Sequence, residues 1–240
     1  MKKILKYLTM ILFAIIVSVT IALAYIGMVP GLSSIFVKQV DLGVYPDSDQ
    51  VIAINEELGH EVKLNDEKKP YDGQPIYEGE IELSGTYSDK QVTSVLDSWS
   101  NNWAITPFYN VQVKIHDNGT AEASGILKIK EAISLAKHLG YSDEQISEAS
   151  KYATFISGDL PFYINGSANV NNNQVFANVS NLKIGNVVVP EKISNQVVGA
   201  VEDAVQRRIQ QVSNLNIKSM DLKSGKLNIY GTVPQLESGE

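Results

Sequence analysis

Three histidines, at 60, 116 and 138, are the residues best suited to acid–base work or metal ligation. None belongs to an H-E-x-x-H pattern, and none has a second histidine nearby. His116 falls in a polar slot beside a turn, and His138 stands near the end of a predicted helix, where a cation suits the dipole. Serine is plentiful, but there is no G-x-S-x-G elbow and no S-x-x-K in the company of S-D-N and K-T-G. Asp47-Ser48-Asp49 opens like a calcium loop and lacks its glycine and distal glutamate. The chain contains no cysteine, so thiolate nucleophiles, thiolate metal sites, disulfides and a lipobox are all excluded. No glycine-rich phosphate cradle is present. The sequence reads as noncatalytic, without a cofactor or a metal.

What remains is apolar and aromatic. Trp99, Trp103, Phe108 and Tyr109 crowd the stretch "SWSNNWAITPFY". Such rings anchor a core, or form an amphipathic lip that touches lipid headgroups or glycans. The second candidate is a stripe at helical spacing: Ile193, Val197, Val201, Ala204, Val205, Ile209 and Val212. It reads as core, or as a face that also lines a ligand groove. Val197, Val201, Val205 and Ile209, with Trp99, Trp103 and Phe108, are the predicted ligand-binding residues.

The elements that must position these residues follow from periodicity and punctuation. Ser48 is a predicted N-cap for a short helix with Val51, Ile54 and Leu58 on one face, closed by Gly59. "IYEGEIELSGTY" alternates like a strand. Ser88-Asp89-Lys90-Gln91 is a capping-box pattern that starts a helix with Val92, Val95, Leu96 and Trp99 on one side. "PFYNVQVKIHDNGTAEASGILKI", residues 107 to 129, reads as a hairpin about a type I′ Asn118-Gly119 turn. "PFYINGSANVNNNQVFANVSNLKI", residues 161 to 184, reads as a second copy that turns at Asn171 to Asn173. Two helices, about 129 to 139 and 143 to 157, separate the copies. Pro190 at N1 opens a long helix, about 190 to 212. A third hairpin turns at Ser224-Gly225. The plan is α+β: an N-terminal transmembrane helix, then a curved antiparallel sheet of hairpins wrapped on the long amphipathic helix.

The transmembrane expectation rests on Leu8 to Val29. Those 22 residues carry no charge and would span ~33 Å as a helix, enough for a ~30 Å hydrocarbon core. Lys2, Lys3 and Lys6 before the run imply a single pass with the N-terminus in the cytoplasm and the bulk outside the membrane. Cleavage after Ala24, as in a signal peptide, stays open as an alternative. Residues 38 to 240 hold 17 basic and 27 acidic residues, a net of −10. That surface excludes nucleic acid as a partner. The expected divisions are 1–37 (stub and anchor), 38–75 (juxtamembrane helix and linker), 76–235 (exported domain) and 236–240 (frayed tail).

"DLGVYPDSDQVIAINEELG", "ELSGTYSDKQVTSVLDSW" and "NVQVKIHDNGTAEASGIL" together resemble a group of uncharacterised, membrane-anchored exported proteins of Gram-positive bacteria, over about residues 40 to 185. In that group an Asp-Leu-Gly-Val motif, a Thr/Ser-x-x-x-Glu-Leu helix start and an Asp-Gly hairpin follow one another. Here Gln91-Val92 stands in place of Glu-Leu. The order of strand, helix and wrapped sheet is also similar to the half-units of tubular lipid-binding (TULIP) domains, which implies an apolar groove by analogy of architecture. Two functions are expected from these readings. One is a tethered domain that binds a lipid or other apolar ligand. The alternative is a structural or interaction module with a protein partner at the bacterial envelope.

Overall fold

The computed structural model describes residues 2–25, 29, 36–64, 75–104, 106–147 and 159–239. Helix α1 spans Lys2–Tyr25. Its uncharged part, Tyr7 to Tyr25, is 19 residues, against the 22 expected. Among the described residues no helix is long and apolar enough to cross a membrane. The span expected at Leu8–Val29 is therefore corrected, and with it the single-pass localisation. The described part of the helix reaches Tyr25, inside the expected run, and meets the folded domain there. Ala24 is buried, and the Asn186 amide donates to the carbonyls of Tyr25 and Phe36 at 3.0 and 3.1 Å.

Helix α2, Ser48–Leu58, is capped by Asp47, whose carboxylate accepts from the Asp49 amide; Ser48 is the first helical residue and not the cap. Gly59 closes it at φ 70°, the left-handed geometry expected there. Strands β1 (Glu61–Lys63) and β2 (Ile76–Glu78) follow, then β3 (Ile81–Ser88). Helix α3, Asp89–Asn102, starts on the predicted capping box, with Ser88 Oγ and Gln91 Oε1 each accepting the other's backbone N–H. Glutamine does here what glutamate does in the usual box. Beyond α3 lie β4 (Phe108–Ile115), β5 (Ala121–Leu127), α4 (Ile129–His138), β6 (Leu160–Asn171), β7 (Gln174–Ile184) and β8 (Val187–Val188). Helix α5 (Glu191–Gln211), β9 (Asn216–Lys223), β10 (Lys226–Val233) and β11 (Leu236–Ser238) complete the chain. Part of the helix expected over 143–157 lies outside the described residues, as do residues 65–74 of the expected juxtamembrane helix and linker at 38–75.

The main sheet runs β3-β10-β9-β6-β5-β4, with β7 and then β8 on the other edge of β6. Its described pairings are antiparallel, as the α+β reading requires. Strands β3 and β4, the two ends of the path, both touch α3, so the sheet curls around that helix. The wrapped helix is thus α3 and not the long one. Thr93, fully buried on α3, ties the two layers: its Oγ1 accepts the Val113 N–H at 3.0 Å.

Helix α5 lies outside, along β7. Glu202 accepts the Ala177 N–H at 2.6 Å, satisfying a donor on the outer edge of β7. Ser194 and Ile209 are its buried positions. This orientation turns the valine stripe away from the sheet. Val201 and Val205 are 54% and 41% exposed, against the expectation of a core or groove face.

The two like hairpins form, but side by side in one meander through β5–β6, and not on opposite sides of a helix. Their registers differ. Phe108 faces Leu127, the leucine of the first Leu-Lys-Ile, whereas Phe162 faces Ile184, the isoleucine of the second. The turns differ too. Asn172 and Asn173 have φ 49° and 65°, the type I′ pattern. In the first hairpin Gly119 has φ 81° and Asn118 is not left-handed. Asn118 Oδ1 instead accepts from the Thr120 N–H and hydroxyl at 3.1 and 2.7 Å, which favours a three-residue loop with a glycine bulge.

The tail expected to fray is also ordered. β11 is the middle strand of a small second sheet, β1-β11-β2, parallel to β1 and antiparallel to β2.

Candidate functional site

Between α2, α3 and the β3–β10 face lies a hollow of about 410 Å³. Helix α2 contributes Val51, Ile54 and Leu58, the three residues whose spacing marks its apolar face. Helix α3 contributes Val92, Val95, Leu96, Trp99 and Trp103. Leu83 and Tyr87 of β3, and Leu227, Ile229 and Val233 of β10, form the opposite wall. The walls stay apart because two narrow helix faces and one concave sheet cannot interdigitate fully.

Of the predicted ligand-binding residues, Trp99 and Trp103 line this hollow. Phe108 stands behind them, its ring 5.5 Å from that of Trp99. Val197, Val201, Val205 and Ile209 are elsewhere, on α5. Sequence reasoning identified the apolar faces of α2 and α3 without seeing that they converge. It missed Leu227 and Ile229, whose alternation in the third hairpin was the available signal. It also missed Glu237, which sits in a three-residue strand too short to show a period.

The hollow also has polar lining residues. His60 and Glu237 both line it. His60 Nδ1 lies 2.9 Å from the Pro234 carbonyl oxygen. A carbonyl only accepts, so Nδ1 carries a proton, and in the neutral ring Nε2 is an acceptor. Burial pushes the Glu237 carboxyl above its ordinary range, while His60, Arg208 and a Tyr77 hydrogen bond pull the other way. Tyr77 faces Glu237 across the β2–β11 pair. Its phenol is pushed well up, chiefly by burial. The Arg208 guanidinium hydrogen-bonds the Tyr77 hydroxyl and sits over its ring at 5.5 Å. Tyr77 and Arg208 also wall a second, more polar hollow of about 440 Å³ beside α4. Among the described residues no group of three or more His, Asp or Glu is placed to hold a metal ion.

The sign of the Glu237 shift gives a measurable pH dependence. The folded state holds this proton more tightly than the unfolded state, whose carboxyl titrates near 4.5. The contribution to stability is complete below that value and is lost as pH rises through the raised folded value. Glu237→Gln is expected to flatten that part of the profile and to raise stability relative to wild type at neutral pH. Urea midpoints between about pH 4 and 8 check this, and parallel profiles for the two proteins would refute it.

The α5 stripe carries a second expectation. Val201→Asp places a carboxylate on an exposed position, so the folding free energy should change by no more than about 0.5 kcal/mol. A drop of several kcal/mol in chemical denaturation would show that the stripe is covered.

Fold and site define an α+β protein with a curled antiparallel sheet and an apolar cavity under two short helices. No family model, no curated protein and no solved structure matches the chain, so none bears on the resemblance carried by residues 40 to 185.

Proposed function

We propose that the protein binds an apolar small molecule in the hollow between α2, α3 and the β3–β10 face, and performs no chemistry on it. The supporting observation is the hollow itself: about 410 Å³, walled mainly by valine, leucine, isoleucine and tryptophan, with one carboxylate, Glu237, in its lining. Ligand sites fall at roughly 300–1,000 Å³ with this distribution of apolar wall and few polar groups.

The test is a titration with N-phenyl-1-naphthylamine, a neutral dye that brightens in apolar surroundings. Wild type should bind it saturably. Val92→Trp, which fills the hollow from α3, should weaken binding at least about tenfold while keeping or raising the thermal midpoint, as cavity-filling changes do. A wild type that binds no dye, or a filled variant that binds as well as wild type, sinks the reading.

The second reading, a protein-interaction module, is favoured by the exposed Ile193, Val201 and Val205 on α5, with Val187 and Val188 exposed in β8. It predicts that a partner is lost in Val201→Asp while dye binding is unchanged.

A further inference from the structure

The polar lining of the hollow has a chemistry of its own. Glu237 and His60 come from β11 and from the residue before β1, strands that run parallel to one another. Their positions are fixed from behind. The Pro234 carbonyl holds His60 through Nδ1, and Tyr77 pairs with Glu237 across the strand. Both residues line the hollow, and the chemistry left to them is acceptor capacity. An ionised carboxylate only accepts, and a neutral imidazole whose proton sits on Nδ1 accepts at Nε2. No lysine or arginine is among the residues that line the hollow. The nearest guanidinium, Arg208, is engaged with the Tyr77 hydroxyl and ring.

We propose that the hollow selects ligands with a protonated amine on an apolar body, the ammonium donating to the Glu237 carboxylate and to Nε2 of His60. The inference rests on the apolar-ligand reading given above. An ammonium has three donors and no acceptor, so it suits a pair of acceptors. It also brings a full counter-charge from within the hollow, which offsets the penalty that burial imposes on ionised Glu237 beyond what His60 and Arg208 already offset. A fatty-acid head would set a second anion against Glu237 with no cation between them. An alcohol head can donate once and gains no charge pairing. The apolar walls, Leu96, Trp99 and Leu227 among them, would take the body of the ligand.

The experiment is competition against bound N-phenyl-1-naphthylamine by octylamine, octanol and octanoate, which share a chain and differ in the head. At neutral pH octylamine should displace the dye at concentrations at least about tenfold below the other two, the size of a charge-assisted hydrogen bond. In Glu237→Gln the amine and the alcohol should fall within about twofold of each other, each read against that variant's own dye affinity. If octanol or octanoate matches octylamine on a wild type that binds the dye, the head-group inference is overturned and the apolar cavity stands. If wild type binds no dye, both are overturned. The wild-type series decides even where the variant does not fold.

Discussion

Trp103→Ala is expected to lower the folding free energy by about 3–5 kcal/mol, the range for removing a buried tryptophan. The residue is 2% exposed and stands where α3 gives way to β4. Its backbone N–H still donates to Trp99 at 3.1 Å, and its carbonyl accepts from the Thr106 hydroxyl at 3.0 Å. The indole therefore closes one wall of the hollow while its backbone ends the helix. Removing it enlarges the hollow, and the walls around it are held by the sheet. The measurement is urea denaturation followed by circular dichroism. A loss under about 1 kcal/mol would mean that the indole packs loosely and that the hollow is larger than its walls indicate.

Gly166→Ala and Gly231→Ala should each cost about 3 kcal/mol, the upper end of what overpacking imposes. Both glycines sit where the strand register shifts, at Asn165/Gly166 in β6–β7 and at Tyr230/Gly231 in β10–β9. A β-carbon at Gly166 would lie 2.1 Å from the Asn178 carbonyl oxygen, and one at Gly231 would lie 2.0 Å from that of Asn216. Both obstacles are backbone, so neither can rotate away. The same substitution at Gly199, midway along α5, meets nothing within 4 Å and should stabilise by about 0.5–1 kcal/mol through helix propensity. Thermal midpoints of the three variants separate these cases. Equal midpoints would show that the two bulges relax freely.

The local rules carried most of the elements. The capping box at Ser88–Gln91, the closing Gly59 and the alternation of the three hairpins are signals within a few residues of one another, and each appears in the structure. The apolar faces of α2 and α3 were legible for the same reason. What lies beyond local reach is pairing. The valine stripe of α5 has ideal helical spacing, yet its rotation is tied to the Glu202 bond with the Ala177 N–H, and no period in the helix itself reports on a strand edge. The length of an uncharged run likewise does not report on tertiary contacts such as the burial of Ala24 and the Asn186 bond to the Tyr25 carbonyl. Leu236–Ser238 looked like a polar tail because three residues cannot show alternation. Only their partners in β1 and β2 make them a strand.

That last strand has a consequence for the order of events as the protein is made. The meander β4 to β7 joins neighbours in sequence and can pair as soon as residue 184 is available. The hollow cannot. Its walls come from residues 51–62, 83–103 and 227–237, so it takes shape only when late-synthesised residues return to early ones and close a large loop. β11 is the latch: it slides between β1 and β2 and carries Glu237 into position. A molecule lodged in the hollow would touch the latch at Glu237 and its neighbour β1 at Val62. It would stabilise the part of the fold that closes last and opens first, slowing amide exchange in β1, β2 and β11 well before it altered the meander.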